Sequence, residues 1–356
     1  MRTVILVRGL ALAGLAAVSA AGADEIRVEP QTVPVALHRD AGSGRGTPKV
    51  DLTIEASGVE PIGDGRLVLI AHDKSEELYV AESATGRLVG EPLTCPAFPK
   101  TPKWEGMGRD DTGHYYLVGA HTSKTEEVLK RQAQMIRFRL KGAGTTADPF
   151  AIDPASVRRW KLRDSLASAL GREGANVKEL KIEGLSVYTR PAGEGRPERL
   201  ELAVGLRNPS DLVRVFTADV SRDPGADAEL TFERLFAFPA GEREGEAAQL
   251  TSLLYLPAWK GFFVVTATED KGNVFHGNTL YFLPLDEVPA GRGVAAPLRV
   301  YDFEVAMKAE GLTDLPAPAG SDPSRTARLL VTFDNDVHAT HIPSRMQTLR
   351  VSRGSR

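Results

Sequence analysis

A pattern of short strands recurs five times along the chain, and this repetition limits the possible folds more than any other sequence feature. Each unit opens on a strand, turns into a second apolar strand, and then reaches a polar cluster followed by another strand. The units begin near residues 59, 104, 182, 249 and 309. Their opening residues are Val59-Glu60-Pro61-Ile62, Trp104-Glu105-Gly106-Met107, Ile182-Glu183-Gly184-Leu185, the degenerate Gln249-Leu250-Thr251-Ser252, and Ala309-Glu310-Gly311-Leu312.

Units of this length, each with about four strand-length segments, are typical of β-propeller blades. A single blade cannot bury both faces of its sheet, so blades stack around an axis. We therefore predict one all-β domain over residues 24–356, a β-propeller of five blades. The strand-like segments of residues 24–57 supply either a strand that closes the ring or part of a sixth blade. Residues 141–180, with Trp160 and a short helix, are predicted as an insert at the rim. A β-sandwich is the alternative architecture.

The N-terminus is predicted to be a signal peptide of residues 1–23. Arg2 and Arg8 precede an apolar run that ends in small residues, with cleavage expected near Ala23. The run is shorter than the ~20 apolar residues that a membrane span needs, although a buried N-terminal helix is the alternative. We expect an exported protein, periplasmic or secreted. The only cysteine, Cys95, allows no internal disulfide.

The formal net charge of −3 is a poor electrostatic match to nucleic acid. We expect a monomer without a nucleic-acid partner or a membrane span. Its partner, a small molecule or a protein, is not identified by the sequence.

A glutamate near the start of four units suggests a metal site. The first strand of each propeller blade lines the channel, so these carboxylates would converge, and like charges at close range share protons or bind a cation. Oxygen ligands suit Ca²⁺ or Mg²⁺. The predicted metal ligands are Glu60, Glu105, Glu183 and Glu310.

A lysine two residues before three of these glutamates supports a different interpretation. Lys103, Lys181 and Lys308 would share a strand face with the glutamate that follows each of them. Each pair would then be a structural ion pair at a blade entrance. The sequence leaves both alternatives open.

A second polar rank follows the second strand of each unit. Strand ends open onto one face of a propeller, so this rank would surround the channel mouth and bind a ligand there, although turn preferences are an ordinary explanation for Asp and Asn. His121 and Arg207 are the strongest candidates, because turn preference does not explain them. The predicted ligand-binding residues are Asp73, His121, Arg207, Asn208, Glu269, Asp334 and Asn335.

The repeated Glu-Gly-Leu starts and the segment Gly205-Leu206-Arg207-Asn208-Pro209 resemble an uncharacterised bacterial β-propeller family, a domain of unknown function. More distantly, the chain is similar to esterase-like phytase propellers and to calcium-dependent lactonase propellers such as gluconolactonase and paraoxonase. The lactonase resemblance implies Ca²⁺ at a blade-start glutamate. The degenerate fourth unit and the neighbouring lysines depart from that pattern.

Two functions fit these features. The protein is either a binding module for a small ligand or partner at the channel mouth, with a divalent cation as an optional component, or a metal-dependent hydrolase of esters, lactones or phosphoesters. In the hydrolase, His121 or a channel glutamate would be the catalytic base. No Gly-x-Ser-x-Gly elbow, phosphate loop or dinucleotide fingerprint occurs in the sequence.

Overall fold

The structure is a computed structural model. The structure describes residues 25–39, 54–100, 103–122, 125–177, 180–190, 192, 197–207, 212–221, 230–270, 274–288, 293–303, 307–334 and 343–354. The predicted signal peptide lies outside these residues. The described part of the chain is mostly β-strand, with two α-helices, α1 (Glu126–Gln132) and α2 (Arg163–Arg172). Short 3₁₀ turns occupy Pro154–Ser156, Pro257–Trp259 and Leu285–Glu287. Neither α-helix has the length and apolar character needed to cross a membrane.

The strands follow the predicted units closely, usually to within one or two residues. In chain order they are β1 (Ile26–Pro30), β2 (Val35–Ala36), β3 (Ala56–Ile62), β4 (Leu67–His72), β5 (Leu78–Glu82), β6 (Trp104–Arg109), β7 (Tyr115–Gly119), β8 (Met135–Phe138), β9 (Leu140–Lys141), β10 (Ala151–Ile152), β11 (Arg158–Trp160), β12 (Ile182–Arg190), β13 (Arg199–Leu206), β14 (Val213–Asp219), β15 (Glu233–Phe238), β16 (Glu242–Arg243), β17 (Glu246–Ala247), β18 (Gln249–Leu256), β19 (Gly261–Glu269), β20 (Phe275–Pro284), β21 (Leu298–Asp302), β22 (Lys308–Leu315), β23 (Thr326–Asp334) and β24 (Arg345–Arg353).

These strands form five antiparallel blades around one axis, as predicted. The blades are β3-β4-β5, β6-β7-β8-β11, β12-β13-β14-β15, β18-β19-β20-β21 and β22-β23-β24-β1. Each first strand contacts the first strands of both neighbouring blades, in the cyclic order β3, β6, β12, β18, β22 and back to β3. The chain is therefore a five-bladed β-propeller whose axis is lined by these five inner strands.

The N-terminal strand closes the ring, which decides between the two predicted roles of residues 24–57. β1 pairs antiparallel with the last strand, β24, from Ile26 opposite Arg353 to Pro30 opposite Leu349. It is thus the outer strand of the fifth blade. Backbone hydrogen bonds between β1 and β24 therefore close the ring.

Large apolar side chains fill the spaces between neighbouring blades. Between the second and third blades, Trp160 and Leu170 are buried together with Phe216 of β14. Trp160 is stacked on Tyr116, with ring centroids 6.2 Å apart. The region predicted as a rim insert is therefore partly built into the second blade, because β11 is the fourth strand of that blade. Helix α2 packs on the core through its buried residues Leu166 and Leu170.

Candidate functional site

A β-bulge near the start of every inner strand is the structural basis of the sequence repeat. The register of each inner strand against its second strand shifts at one residue. The five bulged residues are Ser57, Glu105, Glu183, Thr251 and Glu310. The prediction that Glu60 belongs to this rank is therefore wrong by three residues. Ser57 occupies the equivalent position in the first blade, and Glu60 lies farther along the strand.

In four of the five blades a glycine follows the bulge, where the neighbouring inner strand approaches closely. A Cβ on Gly184 would lie 2.9 Å from the Cβ of Leu253, and one on Gly106 would lie 3.0 Å from the Cβ of Leu185. Gly58 faces Met107 in the same way, with a corresponding distance of 3.0 Å. The glycine, more than the glutamate, is the signal that aligns the first blade with the others.

In the first and fourth blades, a hydroxyl residue takes the place of the bulged glutamate, and the two hydroxyls make matching hydrogen bonds to the next inner strand. The Ser57 hydroxyl donates to the Trp104 carbonyl oxygen at 2.7 Å, and the Thr251 hydroxyl donates to the Ala309 carbonyl oxygen at 2.6 Å. In each case the acceptor immediately precedes the bulged glutamate of the next blade. These bonds tie neighbouring inner strands together near one end of the axis.

The three bulged glutamates are paired with lysines, as the ion-pair interpretation predicts. Lys103 Nζ lies 3.0 Å from a Glu105 carboxylate oxygen, and Lys308 Nζ lies 2.5 Å from one of Glu310. Lys181 pairs with Glu183 and also lies 3.7 Å from Glu105. Among the described residues, no group of three or more His, Cys, Asp or Glu side chains is placed to hold a metal ion. The calcium site stays a prediction.

These pairs continue into a chain of alternating charges, which we call the axial ion network. Arg207 contacts Glu183 at 3.1 Å and also pairs with Glu269, whose carboxylate lies 3.8 Å from Lys308. At the other end, Asp73 lies 3.3 Å from Lys103. The network runs in order through Asp73, Lys103, Glu105, Lys181, Glu183, Arg207, Glu269, Lys308 and Glu310.

Burial and neighbouring charges shift the pKa values of this network in opposite directions. Burial, together with the charge of Glu183, raises the pKa of Glu105 to about 7. Burial also acts to raise the pKa of Glu183, but Lys181 and Arg207 outweigh it and hold that pKa well below its usual value. Neighbouring carboxyls therefore differ strongly in their affinity for a proton.

The residues predicted to bind a ligand lie in different surroundings in the structure. Asp73, Arg207 and Asp334 occupy equivalent positions, each opposite the residue two before a bulge. Asp73, Arg207 and Glu269 belong to the axial ion network, and Asp334 is buried at the end of β23. Asn208 and Asn335 lie outside the described residues.

His121 is buried within the second blade. Its side chain has no exposed surface, its φ of 58° is left-handed, and its Nδ1 donates to the Gly119 carbonyl oxygen at 2.8 Å. Burial lowers the pKa of His121 to about 4. The ring is therefore neutral near pH 7, and Nε2 holds its free lone pair.

A cavity of about 360 Å³ opens at the opposite end of the inner strands. It receives residues from all five of them, and we call it the axial cavity. Its principal polar and aromatic lining residues are Glu60, Arg109, Asp110, Asp111, Ser186, Tyr188, Tyr255 and Asp314. Apart from Glu60, none of these was predicted from the sequence. Arg109, Tyr255 and Asp314 each stand four residues after a bulge, so an alignment on the bulge would have found them.

Glu60 lies in this cavity, in surroundings that favour the protonated form of its carboxyl group. Its side chain is 6% exposed and accepts a hydrogen bond from the Thr313 hydroxyl at 3.1 Å. Burial and the charge of Asp314 raise the pKa of Glu60 to about 8, although Arg109 acts in the opposite direction. Burial also raises the pKa of Asp314. Glu60 is therefore mostly protonated at pH 7.

Two tyrosines form one wall of the axial cavity. The rings of Tyr188 and Tyr255 have centroids 4.4 Å apart. The Tyr188 hydroxyl donates to Glu201 at 2.6 Å, and the backbone N–H of Tyr255 donates to the Ser186 hydroxyl at 2.9 Å. The Tyr188 ring is held by its hydroxyl bond, and the Tyr255 ring packs against Tyr188 and Phe262.

No protein-family model matches the chain, and no curated protein matches it either. Its resemblance to the uncharacterised family therefore stays a prediction. Solved structures that are similar include a putative exo-β-1,3-galactanase from Bifidobacterium bifidum, with 12% identity over 91% of this chain and 96% of that chain and a TM-score of 0.45. A second is the calcium-binding protein regucalcin from Agrobacterium tumefaciens, with 11% identity, coverage of 85% and 92%, and a TM-score of 0.39.

A third is an exo-β-1,3-galactanase from Phanerochaete chrysosporium, with 9% identity over 90% of this chain and a TM-score of 0.43. The chain spans 64% of that structure, under two thirds of its length. At these identities the likenesses concern the fold alone.

Proposed function

We propose that the protein binds a small polar organic molecule, neutral or positively charged, in the axial cavity. The observation that supports this most is the convergence of chemically different side chains from all five inner strands on one cavity. Repeated strands that carry varied residues are a common way to build a pocket with a few convergent polar groups. The charged side chains at the other end, the axial ion network, are instead paired with one another.

The charge of the lining supports the choice of ligand class. The acidic residues Glu60, Asp110, Asp111 and Asp314 face a single lining arginine, Arg109. An anion would add a like charge to this low-dielectric space, which is costly. A neutral polar ligand could instead accept a hydrogen bond from protonated Glu60 and rest its apolar face on Tyr255.

Titration calorimetry on the full chain tests this proposal. The panel holds neutral sugars and polyols, primary amines, and organic acids of matched size. Binding is expected for a neutral or cationic compound, and it should weaken at least tenfold in Tyr255→Ala and in Asp314→Asn. Glu233→Gln, at an exposed position on β15, is the control and should bind as the wild type does. Binding of organic acids alone, or equal binding by all variants, would overturn the proposal.

Export is part of the same proposal, because the features of residues 1–23 support a cleaved signal peptide. Expression of the full gene followed by cell fractionation tests it. The mature protein should appear outside the cytoplasm with an N-terminus near Asp24. Protein that stays in the cytoplasm with residues 1–23 attached would contradict export.

A further inference from the structure

The axial cavity combines a buried proton donor with a second carboxyl, and this pair suggests a reaction. We propose that the cavity hydrolyses an acetal bond, the bond that joins sugar units, with Glu60 as the acid and Asp314 as the base. This inference rests on the proposed binding of a small polar molecule in the same cavity. It adds a substrate class and a chemical step.

Glu60 has the environment that a general acid needs. It lines the cavity, is almost wholly buried, and has one carboxyl oxygen fixed by the Thr313 hydroxyl at 3.1 Å. A carboxylic acid in such surroundings keeps its proton near neutral pH and can deliver it to a bound oxygen atom. Thr313 lies on the neighbouring inner strand, β22, so the orientation of Glu60 depends on contact between two blades.

Asp314 follows Thr313 on the same strand and lines the same cavity. The negative charge of Asp314 helps to raise the pKa of Glu60, so a charged Asp314 favours a protonated Glu60. Arg109 is close enough to favour the charged form of both carboxyls. The two groups therefore divide naturally into a proton donor and a proton acceptor.

The step balances with water as the only second reactant. A water oxygen bonds to the acetal carbon while the bond from that carbon to the leaving oxygen breaks. The leaving oxygen keeps the electron pair and takes the proton of Glu60, and Asp314 takes a proton from the attacking water. Transfer of that proton back to Glu60 through solvent restores the starting state.

The aromatic wall fits the same substrate class. Tyr188 and Tyr255 pack against each other, with ring centroids 4.4 Å apart. This aromatic pair borders the space that a sugar ring would occupy, while Glu60, Asp314 and Arg109 supply partners for its hydroxyl groups. Hydrolysis of an acetal depends more on protonation of the leaving oxygen than on a strong nucleophile. A cavity that contains a protonated carboxyl group suits this requirement.

Hydrolysis assays on the purified full chain test this inference. The probes are 4-nitrophenyl and methyl glycosides of common hexoses and pentoses in both anomeric forms, with 4-nitrophenyl acetate and 4-nitrophenyl phosphate as comparisons. We expect hydrolysis of at least one glycoside, with a rate that falls above about pH 8. Glu60→Gln should slow the methyl glycoside by roughly 100-fold or more and the 4-nitrophenyl glycoside much less. This difference is specific to a lost acid, because nitrophenolate leaves without a proton.

The outcomes separate this inference from the binding proposal. Calorimetric binding of a sugar without hydrolysis of any glycoside overturns the reaction and leaves the binding site standing. Hydrolysis of the acetate or phosphate ester alone also overturns it. Hydrolysis by Glu60→Gln at the wild-type rate would show that another group supplies the proton, whereas Glu233→Gln should retain full activity. Absence of both binding and hydrolysis overturns both proposals.

Discussion

Thr313 donates a hydrogen bond to Glu60 at 3.1 Å across the boundary between the fifth and first blades. The two residues stand at the same position relative to the bulge of their own strands, three residues beyond Glu310 and Ser57 respectively. The bond joins the last blade of the chain to the first blade. The propeller closure thereby also fixes the acid of the candidate site.

The buried acid should make the protein less stable as the pH rises. The pKa of Glu60 is raised to about 8 in the folded state, so between its ordinary value and pH 8 the folded protein binds more protons than the unfolded chain. Its contribution to stability is complete at low pH and is lost as the pH rises through about 8. Glu60→Gln should remove this loss, with a gain on the order of 4 kcal/mol over wild type at pH 8.5 relative to pH 5.

Urea denaturation of both proteins across that range measures the effect, and Glu233→Gln should reproduce the wild-type dependence. A constant difference in unfolding free energy between Glu60→Gln and wild type at every pH would contradict the buried, protonated state of Glu60.

The glycine that follows the bulge should not tolerate a methyl group. Gly184→Ala would place a Cβ 2.9 Å from the Cβ of Leu253 in the next inner strand, and the two strands would have to separate. We expect a loss of about 1–3 kcal/mol in unfolding free energy by chemical denaturation. Gly171→Ala in α2 is the control, since its new Cβ would meet nothing nearer than the Cγ1 of Val177 at 3.7 Å. Equal stability of both variants would refute the close approach of the inner strands.

Lys181 should be required for the stability of the axial ion network. It pairs with Glu183 and lies 3.7 Å from Glu105, so Lys181→Met would leave both buried carboxyls without this cation. We expect a loss of about 3–5 kcal/mol, measured by urea denaturation at pH 7.5. Lys130→Met, which removes an exposed ion pair with Glu126, should leave the midpoint unchanged. A midpoint equally unchanged in Lys181→Met would mean that the network contributes no stability.

Chelation should leave the melting temperature unchanged. The glutamates that the sequence nominated for calcium are already neutralised by Lys103, Lys181 and Lys308, so bound metal is not needed to hold Glu105, Glu183 and Glu310 together. Thermal melts with EDTA, with added Ca²⁺ and in buffer alone measure this directly. A fall in the melting temperature with EDTA that added Ca²⁺ reverses would restore the metal interpretation.

The fold could be predicted from the sequence because strand periodicity and blade repetition both come from local patterns. The regular Glu105-Gly106 and Glu183-Gly184 starts indicated the inner strands, and the apolar residues of β1 indicated a strand that either closes the ring or belongs to a sixth blade. Lysine pairing was also predictable, since residues 103 and 105 lie near each other on any strand. A bulge, however, depends on register between two strands. Val59-Glu60-Pro61 therefore resembled a blade start, although Ser57-Gly58 is the true equivalent.

The candidate site was harder to predict because its residues share no motif. Arg109, Tyr255 and Asp314 come from three different inner strands and meet only when the ring is closed. None of them is unusual within its own unit. Once the bulges define the register, their common position four residues farther along becomes visible.

A crystal structure with a bound ligand shows directly whether the axial cavity is the binding site. The ligand is the tightest-binding neutral or cationic member of the calorimetric panel, soaked into crystals of the full-length mature chain. Density is expected in the axial cavity, against Tyr255 and within hydrogen-bond distance of Glu60 or Asp314. Density at the opposite end, against Arg207 and the axial ion network, with an empty axial cavity, would contradict it.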